Sequence, residues 1–552
     1  MGKLICGLRG LGYLWVLGFW LVGVAIPLFS IFTFPFFPEN QRSMFTDPVI
    51  LAVAQATWIQ AFWSTLISGI LGLGMGLILG QELRHRSSSR LPVLFAIPFG
   101  IPSIVAATAW VGWLGRAGIF ARWGLSLDWI YSVKAVILAH VFLNAPWIAL
   151  LVAQARRNVP DLQLEAARVL GASRWVELKW VIWPYLRWVL GSACAQVMTL
   201  CSMSFVLVLI LGGGPPVQTL ETELYARLRY GTLDLSGAVA CAFWQLILTL
   251  VPWLFILWFR SRQKEKGRFP AKLHLTSSQN AAESSRFRNA RFFGLKRLAL
   301  GGLGCFFILP YFFVLDEKVI QILFSSATRT SIAEPLRLSF ILAISCSGLT
   351  VVTAVAAMGF LRALKQWPWI EAIATLLLNL ASGISILVLG LGAWLAYSSL
   401  FDFFAGNFWL ILGLQTTLFF PIAFRILWPV AQLKAIDQRE AAFTLGASWF
   451  YSFWHIDLPR WRGPLLAALS GIAGASLGEV GAVSLFYHER LIPLPLLISQ
   501  WMNQYRFAEA QGVAGLLFLF SLLLILVSME LGGRVSGNVN SKGKEHENDT
   551  YA

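Results

Sequence analysis

Long apolar runs, separated by short polar stretches, recur along the whole chain. A helix crosses the hydrocarbon of a bilayer in about 20 residues. Runs of that length or more fall near 11–34, 50–80, 91–115, 133–154, 184–212 and 236–259. A second set falls near 296–315, 336–361, 369–397, 407–431, 460–487 and 508–531. The pattern predicts an all-α membrane protein with about twelve transmembrane helices in two sets of six. Segments 50–80 and 460–487 are longer than a straight crossing, so they tilt or begin in the interface. The first run follows Lys3 and Arg9. It is too long for a signal-peptide core and no small-residue cleavage site follows it, so it reads as a retained first span.

The polar stretches divide the chain. Residues 1–259 form a first half, 260–295 a basic, Ser-rich cytoplasmic linker, 296–533 a second half, and 534–552 a polar cytoplasmic tail read as disordered. Composition agrees with lipid as the solvent: 57% of residues are hydrophobic, 13% are charged, and the mean hydropathy is +0.69. The net charge of +16 raises nucleic acid as a partner. Its distribution argues against that. With both termini inside, only 11 of the 43 Lys and Arg residues lie on the outer side, which fits the positive-inside rule. The 25 Trp residues suit membrane interfaces. The six Cys are scattered without a CxxC pair, and the six His show no ligand spacing, so the pattern predicts neither a disulfide framework nor a metal site.

One polar phrase occurs twice. EAARVLGAS at 165–173 returns as EAAFTLGAS at 440–448. Glu165 and Glu440, Ala166 and Ala441, Ala167 and Ala442, Gly171 and Gly446, and Pro184 and Pro459 all share an offset of 275, as do Pro146 and Pro421 in the preceding spans. Such spacing indicates duplication of a whole bundle, and transporters commonly place their pathway between such repeats. Each phrase predicts a short cytoplasmic helix. The carboxylate is expected near its start, favoured by the helix dipole. The glycine permits a left-handed turn, and the proline opens the next span. A single copy would suit a mere tether. Two copies in register predict a two-fold docking surface for a cytoplasmic partner with two equivalent lobes.

Glu479 lies inside an apolar span, where an ionisable group faces a cavity or a partner. It either contacts cargo or makes a structural hydrogen bond. Its counterpart in the first half is Ser204. Gly212, Gly213 and Gly214 end the fifth span, either as a helix stop or as a bend lining a cavity. Tyr225, Trp501 and Tyr505 could stack on an aromatic cation, or anchor the interface. No catalytic cluster of His, Asp and Glu is present, so nothing points to an enzyme.

The doubled pattern Glu-Ala-Ala, three residues, Gly, nine residues, Ile-x-Leu-Pro resembles the signature of bacterial ABC importer permeases. The second copy is complete at Ile456, Leu458 and Pro459, while the first carries Val181 and Trp183 in place of Ile and Leu. The resemblance covers nearly the whole chain. It implies the type I (MetI-like) permease fold in two homologous halves, placed in the bacterial inner membrane. It also implies coupling helices seated on a separate, homodimeric ABC ATPase, and a periplasmic or lipid-anchored solute-binding protein. The chain has no GxxxxGK[ST] phosphate loop, so ATP and Mg belong to the partner and no cofactor is expected on this chain. The stretches 138–146, 204–215, 221–231 and 493–506 are similar to fused thiamine importer permeases. Fused iron(III) importer permeases share the plan and are the alternative. An ion-coupled secondary transporter is a reading from another class. It would need ion-coupling residues in both halves and leaves the two phrases without a task.

Overall fold

The computed structural model describes residues 2–34, 46–85, 91–116, 118–124, 129–212, 214, 217–230, 233–265, 290–312, 314, 325–400, 406–432, 441–488 and 491–548. In the first half the helices are α1 (Gly2–Trp20), α2 (Ile26–Phe32), α3 (Pro48–His85), α4 (Leu91–Gly100) and α5 (Ser103–Leu114). They are followed by α6 (Val133–Arg157), α7 (Asp161–Val169), α8 (Trp183–Ser202), α9 (Val206–Leu211), α10 (Leu220–Arg229) and α11 (Leu235–Glu265). The second half contributes α12 (Ala290–Phe312), α13 (Ser326–Ala363), α14 (Pro368–Asn379), α15 (Ile386–Tyr397) and α16 (Phe408–Gln432). It closes with α17 (Leu458–Leu477), α18 (Gly481–Phe486), α19 (Leu494–Asn503) and α20 (Phe507–Asn548).

The duplication is exact to the residue in its centre. Moved by 275 positions, the ends of α6, α8 and α9 become those of α16, α17 and α18. Moved by 274, those of α10 become those of α19, one residue having been dropped between them. Helices α3 and α13 are both 38 residues long. Packing repeats too: α3 lies along α6 as α13 lies along α16, and α8 lies along α11 as α17 lies along α20.

Among the described residues eight helices are long and apolar enough to span a membrane, or nine when a pair bent by 102° is taken as one span. The twelve apolar runs all carry helix, but four are interrupted. Run 91–115 breaks at Ile101–Pro102, 184–212 at 203–205, 369–397 at 384–385 and 460–487 at 478–480. At the first break Pro102 lacks an N–H and pushes the residue before it out of helical geometry. The four form two repeat-related pairs, so the interruptions belong to the architecture. The tail differs from expectation: α20 continues to Asn548, through most of 534–552. Propagating an existing helix needs no new nucleus, so polar residues that would not start a helix can extend one.

Each half lends its first helix to the other. Helices α1 and α2 pack on α13 and α15, while α12 packs on α4 and α5. The exchange is held by specific contacts. Trp15 Nε1 donates to Thr353 Oγ1 (3.2 Å), Trp20 Nε1 to the Leu377 carbonyl (3.0 Å), and Tyr397 Oη to the Val22 carbonyl (2.7 Å). Large apolar side chains such as Trp58, Ile70, Leu254 and Phe255 point outward. In water such a surface would aggregate; in lipid it is the natural exterior.

The tightest helix pair is α3 with α6. Gly72, Gly76 and Gly80 lie four apart on one face of α3. A Cβ on them would stand 2.6 Å from Ile148 Cβ, 2.6 Å from Val152 Cβ and 2.9 Å from the Ala153 carbonyl oxygen. Small residues at this spacing let helix backbones touch in lipid.

Candidate functional site

The two phrases build the same object twice. In the first copy α7 opens after Pro160, whose extended ψ of 134° suits the position before a helix. This moves the start four residues ahead of Glu165. Asp161, and not Glu165, is the acid in the first turn, so the dipole argument applies to Asp161. Glu165 and Ala166 are exposed, and Ala167 is half-buried. The turn that follows is a Schellman motif: the Ala172 N–H donates to the Ala167 carbonyl (2.9 Å) and the Gly171 N–H to the Arg168 carbonyl (3.0 Å). Gly171 sits at φ +74°. In the second copy Ala447 donates to Ala442 (2.9 Å), Gly446 to Phe443 (3.0 Å), and Gly446 sits at φ +84°. Ala441 is exposed and Ala442 half-buried, as in the first copy. Glu440 lies outside the described residues. A π-helical turn follows each motif, at Glu177–Ile182 and Phe453–Asp457, before α8 and α17 begin. Pro184 is in the first turn of α8, and Pro459 is the second residue of α17.

Polar contacts seat α7 on the bundle. Arg84 pairs with Asp161, Tyr185 Oη donates to Gln163 Oε1 (2.9 Å), and Arg168 pairs with Glu177 (3.3 Å), while Leu164 is the buried apolar anchor. What the motif leaves bare is equally regular. Leu170 is 85% exposed and its counterpart Leu445 is 88% exposed. Two isobutyl groups held at matching corners, beside exposed Trp175 and Trp180 in one copy and Tyr451 and Trp454 in the other, form a surface suited to cover by another protein.

From the first motif, α8 runs 20 residues, about 30 Å at 1.5 Å per residue. It ends on the far side of the bundle, where α9, α10, α18 and α19 enclose a cavity of about 260 Å³. Repeat-equivalent positions face one another across it: Phe205 and Val480, Tyr225 and Ser499, Arg229 and Asn503. The cavity therefore lies on the axis relating the halves. Thr219 positions its first-half wall. It caps α10 through a reciprocal pair with Thr222, and Thr57 Oγ1 accepts from the Leu220 N–H (2.9 Å). Glu221 crosses to the other half, accepting from Ser385 Oγ (2.7 Å). The ring centroids of Phe205 and Tyr225 are 5.0 Å apart, and those of Tyr225 and Tyr230 are 5.4 Å apart.

Ser204 and Glu479 both occupy helix interruptions, between α8 and α9 and between α17 and α18. Neither lines the cavity. The Glu479 carboxylate accepts from the Ala482 N–H (3.1 and 3.2 Å) and from Gln415 Nε2 (3.3 Å), and Gln415 Oε1 accepts from Ser476 Oγ (2.7 Å). It thus ties the start of α18 to α16. Next to it, a Cβ on Gly478 would fall 2.2 Å from Pro102 Cβ, the close crossing of the two interrupted spans. Gly212 ends α9 at φ −71°, and Gly214 turns at φ +82°. Gly212 acts as the helix stop, Gly214 turns the chain beyond it, and neither is in the cavity wall, while Gly213 lies outside the described residues. Tyr225 lines the cavity, whereas Tyr505 is exposed and Trp501 is buried under the Arg506 guanidinium (4.6 Å). The reading of single residues missed Arg229, Tyr487 and Asn503. Aligning 221–231 with 493–506 residue by residue could have found Arg229 and Asn503, because equivalent positions line the axis, whereas Tyr487 lies outside both stretches.

Long apolar helices in two repeated sets, matched motifs on one face and a cavity on the repeat axis define a membrane permease made of two fused halves. Residues 72–265 match the family model of binding-protein-dependent transport system inner membrane components. Over most of its length the chain is similar to thiamine transport system permease proteins. It is 29% identical to that of Brucella abortus (strain 2308) over 87% of this chain and 88% of the relative. It is 27% identical to that of Haemophilus influenzae over 88% and 89%, and 27% identical to that of Escherichia coli K12 over 86% and 88%.

Proposed function

We propose that this chain is the translocation subunit of a binding-protein-dependent ABC importer that brings thiamine or its phosphates across the bacterial inner membrane. Cargo follows the relatives, which are named for thiamine transport. The observation that carries the mechanism is the pair of identical Gly-turn motifs, each with a bare leucine at the same corner. A homodimeric ATPase, binding ATP and Mg on its own chains, would engage Glu165, Ala166, Ala167 and Gly171 with one lobe. The other lobe would engage Glu440, Ala441, Ala442 and Gly446. Its closure draws the two motifs together, and the rigid run from motif through α8 or α17 carries that motion to the cavity. A solute-binding protein delivers cargo on the far side. Each partner shifts the permease between inward- and outward-facing forms only through its differential affinity for them. Both termini lie in the cytoplasm in this reading, as the distribution of Lys and Arg requires.

The test uses Leu170→Asp combined with Leu445→Asp. Both side chains are almost fully exposed, so membrane insertion and thermal stability remain those of the wild type. Co-purification with the ATPase subunit and ATP-driven thiamine uptake into proteoliposomes should both fall more than tenfold. Uptake that persists without the ATPase, driven by an ion gradient, would establish a secondary carrier and overturn the proposal.

A further inference from the structure

The cavity on the repeat axis holds a cation, Arg229, whose charge no other described residue of its wall answers. Arg229 ends α10 with its guanidinium 4.2 Å from the centroid of the Tyr487 ring, so a side chain of one half lies on a ring of the other. Two residues earlier, Arg227 is neutralised: its Nε donates to Glu223 (2.7 Å) and its Nη1 to Asp234 (2.6 Å). Among the described residues no carboxylate pairs with Arg229, and no Asp or Glu lines the cavity. A guanidinium resting on a ring face keeps the N–H groups along its edge free to fork onto an oxyanion. Beside it are the clustered rings of Phe205, Tyr225 and Tyr230 and the amide of Asn503. Flat heteroaromatic rings pack well against such aromatic groups. An organic cation without an anionic group would instead meet like charge.

We propose that this cavity is a cargo subsite that favours an aromatic molecule bearing a phosphate, with Arg229 taking the phosphate and the Phe205–Tyr225–Tyr230 cluster taking the ring. The inference rests on the importer reading above and deepens it: it assigns a preference between the free and phosphorylated forms of the cargo to a residue of the permease. Asn503 stands at the repeat-equivalent position, so the second half supplies no matching cation. The subsite is one-sided, and it orients the bound molecule with its phosphate toward α10.

The experiment compares wild type, Arg229→Gln and Arg229→Lys in proteoliposomes holding the complete complex, with the same binding protein in every arm. Uptake of labelled thiamine, thiamine monophosphate and thiamine pyrophosphate is measured, and the readout is the ratio of ester to free thiamine. R229Q should lower that ratio at least tenfold. R229K should restore part of the ratio. An equal loss of all three cargoes in R229Q would show that Arg229 only braces the two halves, and an unchanged ratio would show that it does not meet cargo. Either result overturns the subsite and leaves the importer reading intact. A wild-type complex that moves none of the three overturns both.

Discussion

Glu479 answers to its own neighbours: backbone N–H groups at the start of α18, that of Ala482 foremost, and the Gln415 side-chain amide point at its carboxylate. A hydrogen bond to a charged group contributes about 1.5–3 kcal/mol. Glu479→Gln keeps one acceptor oxygen but can turn an NH2 group toward the Ala482 N–H. We expect a stability loss of about 1–3 kcal/mol, read as a lower melting temperature in detergent, with the KM for thiamine within twofold of wild type. A tenfold rise in KM at unchanged stability would place cargo on this carboxylate. At this scale the sequence was legible where backbone geometry leaves no choice. Gly171 and Gly446 are readable because only glycine adopts a positive φ without penalty. The Glu479 side chain was ambiguous because an acid in an apolar span looks the same whether it caps a helix or meets a ligand. Arg229 and Tyr487 were not legible as a pair: they come from different halves, and no helical or repeat spacing connects them.

Helices were legible as runs and illegible as breaks. Hydropathy averages over some 20 residues, so a two- or three-residue interruption at 203–205 or 478–480 disappears into it. Proline was no sure guide either, since Pro146 and Pro421 lie within unbroken helices whereas Pro102 stands at a break. The contact between α3 and α6 shows a feature the pattern did contain, a stripe of glycines four apart, which requires knowing the facing helix to interpret. Its energetics are testable. A methyl at Gly76 would meet both Val152 and the Ala149 carbonyl oxygen, at 2.6 and 2.7 Å, while one at Gly74 meets nothing within 4 Å. Gly76→Ala should therefore destabilise by about 1–3 kcal/mol, the usual cost of overpacking. Gly74→Ala should be neutral or slightly stabilising, and thermal unfolding of the two variants side by side decides. The second half has Thr350, Ala354 and Met358 along the corresponding face of α13, all buried. It reaches the same fold with a less intimate contact.

For the whole molecule, the duplicated plan was legible and the exchange of first helices was not, because a hydropathy profile says nothing about which half a helix joins. The exchange predicts a cross-link. An ideal Cβ on Gly23 lies 3.8 Å from Thr417 Cβ, the mean separation found in disulfides. In a cysteine-free background, Gly23→Cys with Thr417→Cys should oxidise readily. After cleavage at a protease site inserted within 266–289, the two halves should still migrate as one band without reductant. Two bands under oxidising conditions would mean that α1 and α2 do not reach the second half. The exchange also has a consequence for biosynthesis. Trp15 and its partner Thr353 are 338 positions apart. At about 5–20 residues per second, the ribosome takes roughly 17–70 s to deliver that partner. Throughout that interval the earliest helix must persist in the bilayer as a solitary segment, or under the care of the insertion machinery, before its permanent neighbours have been made.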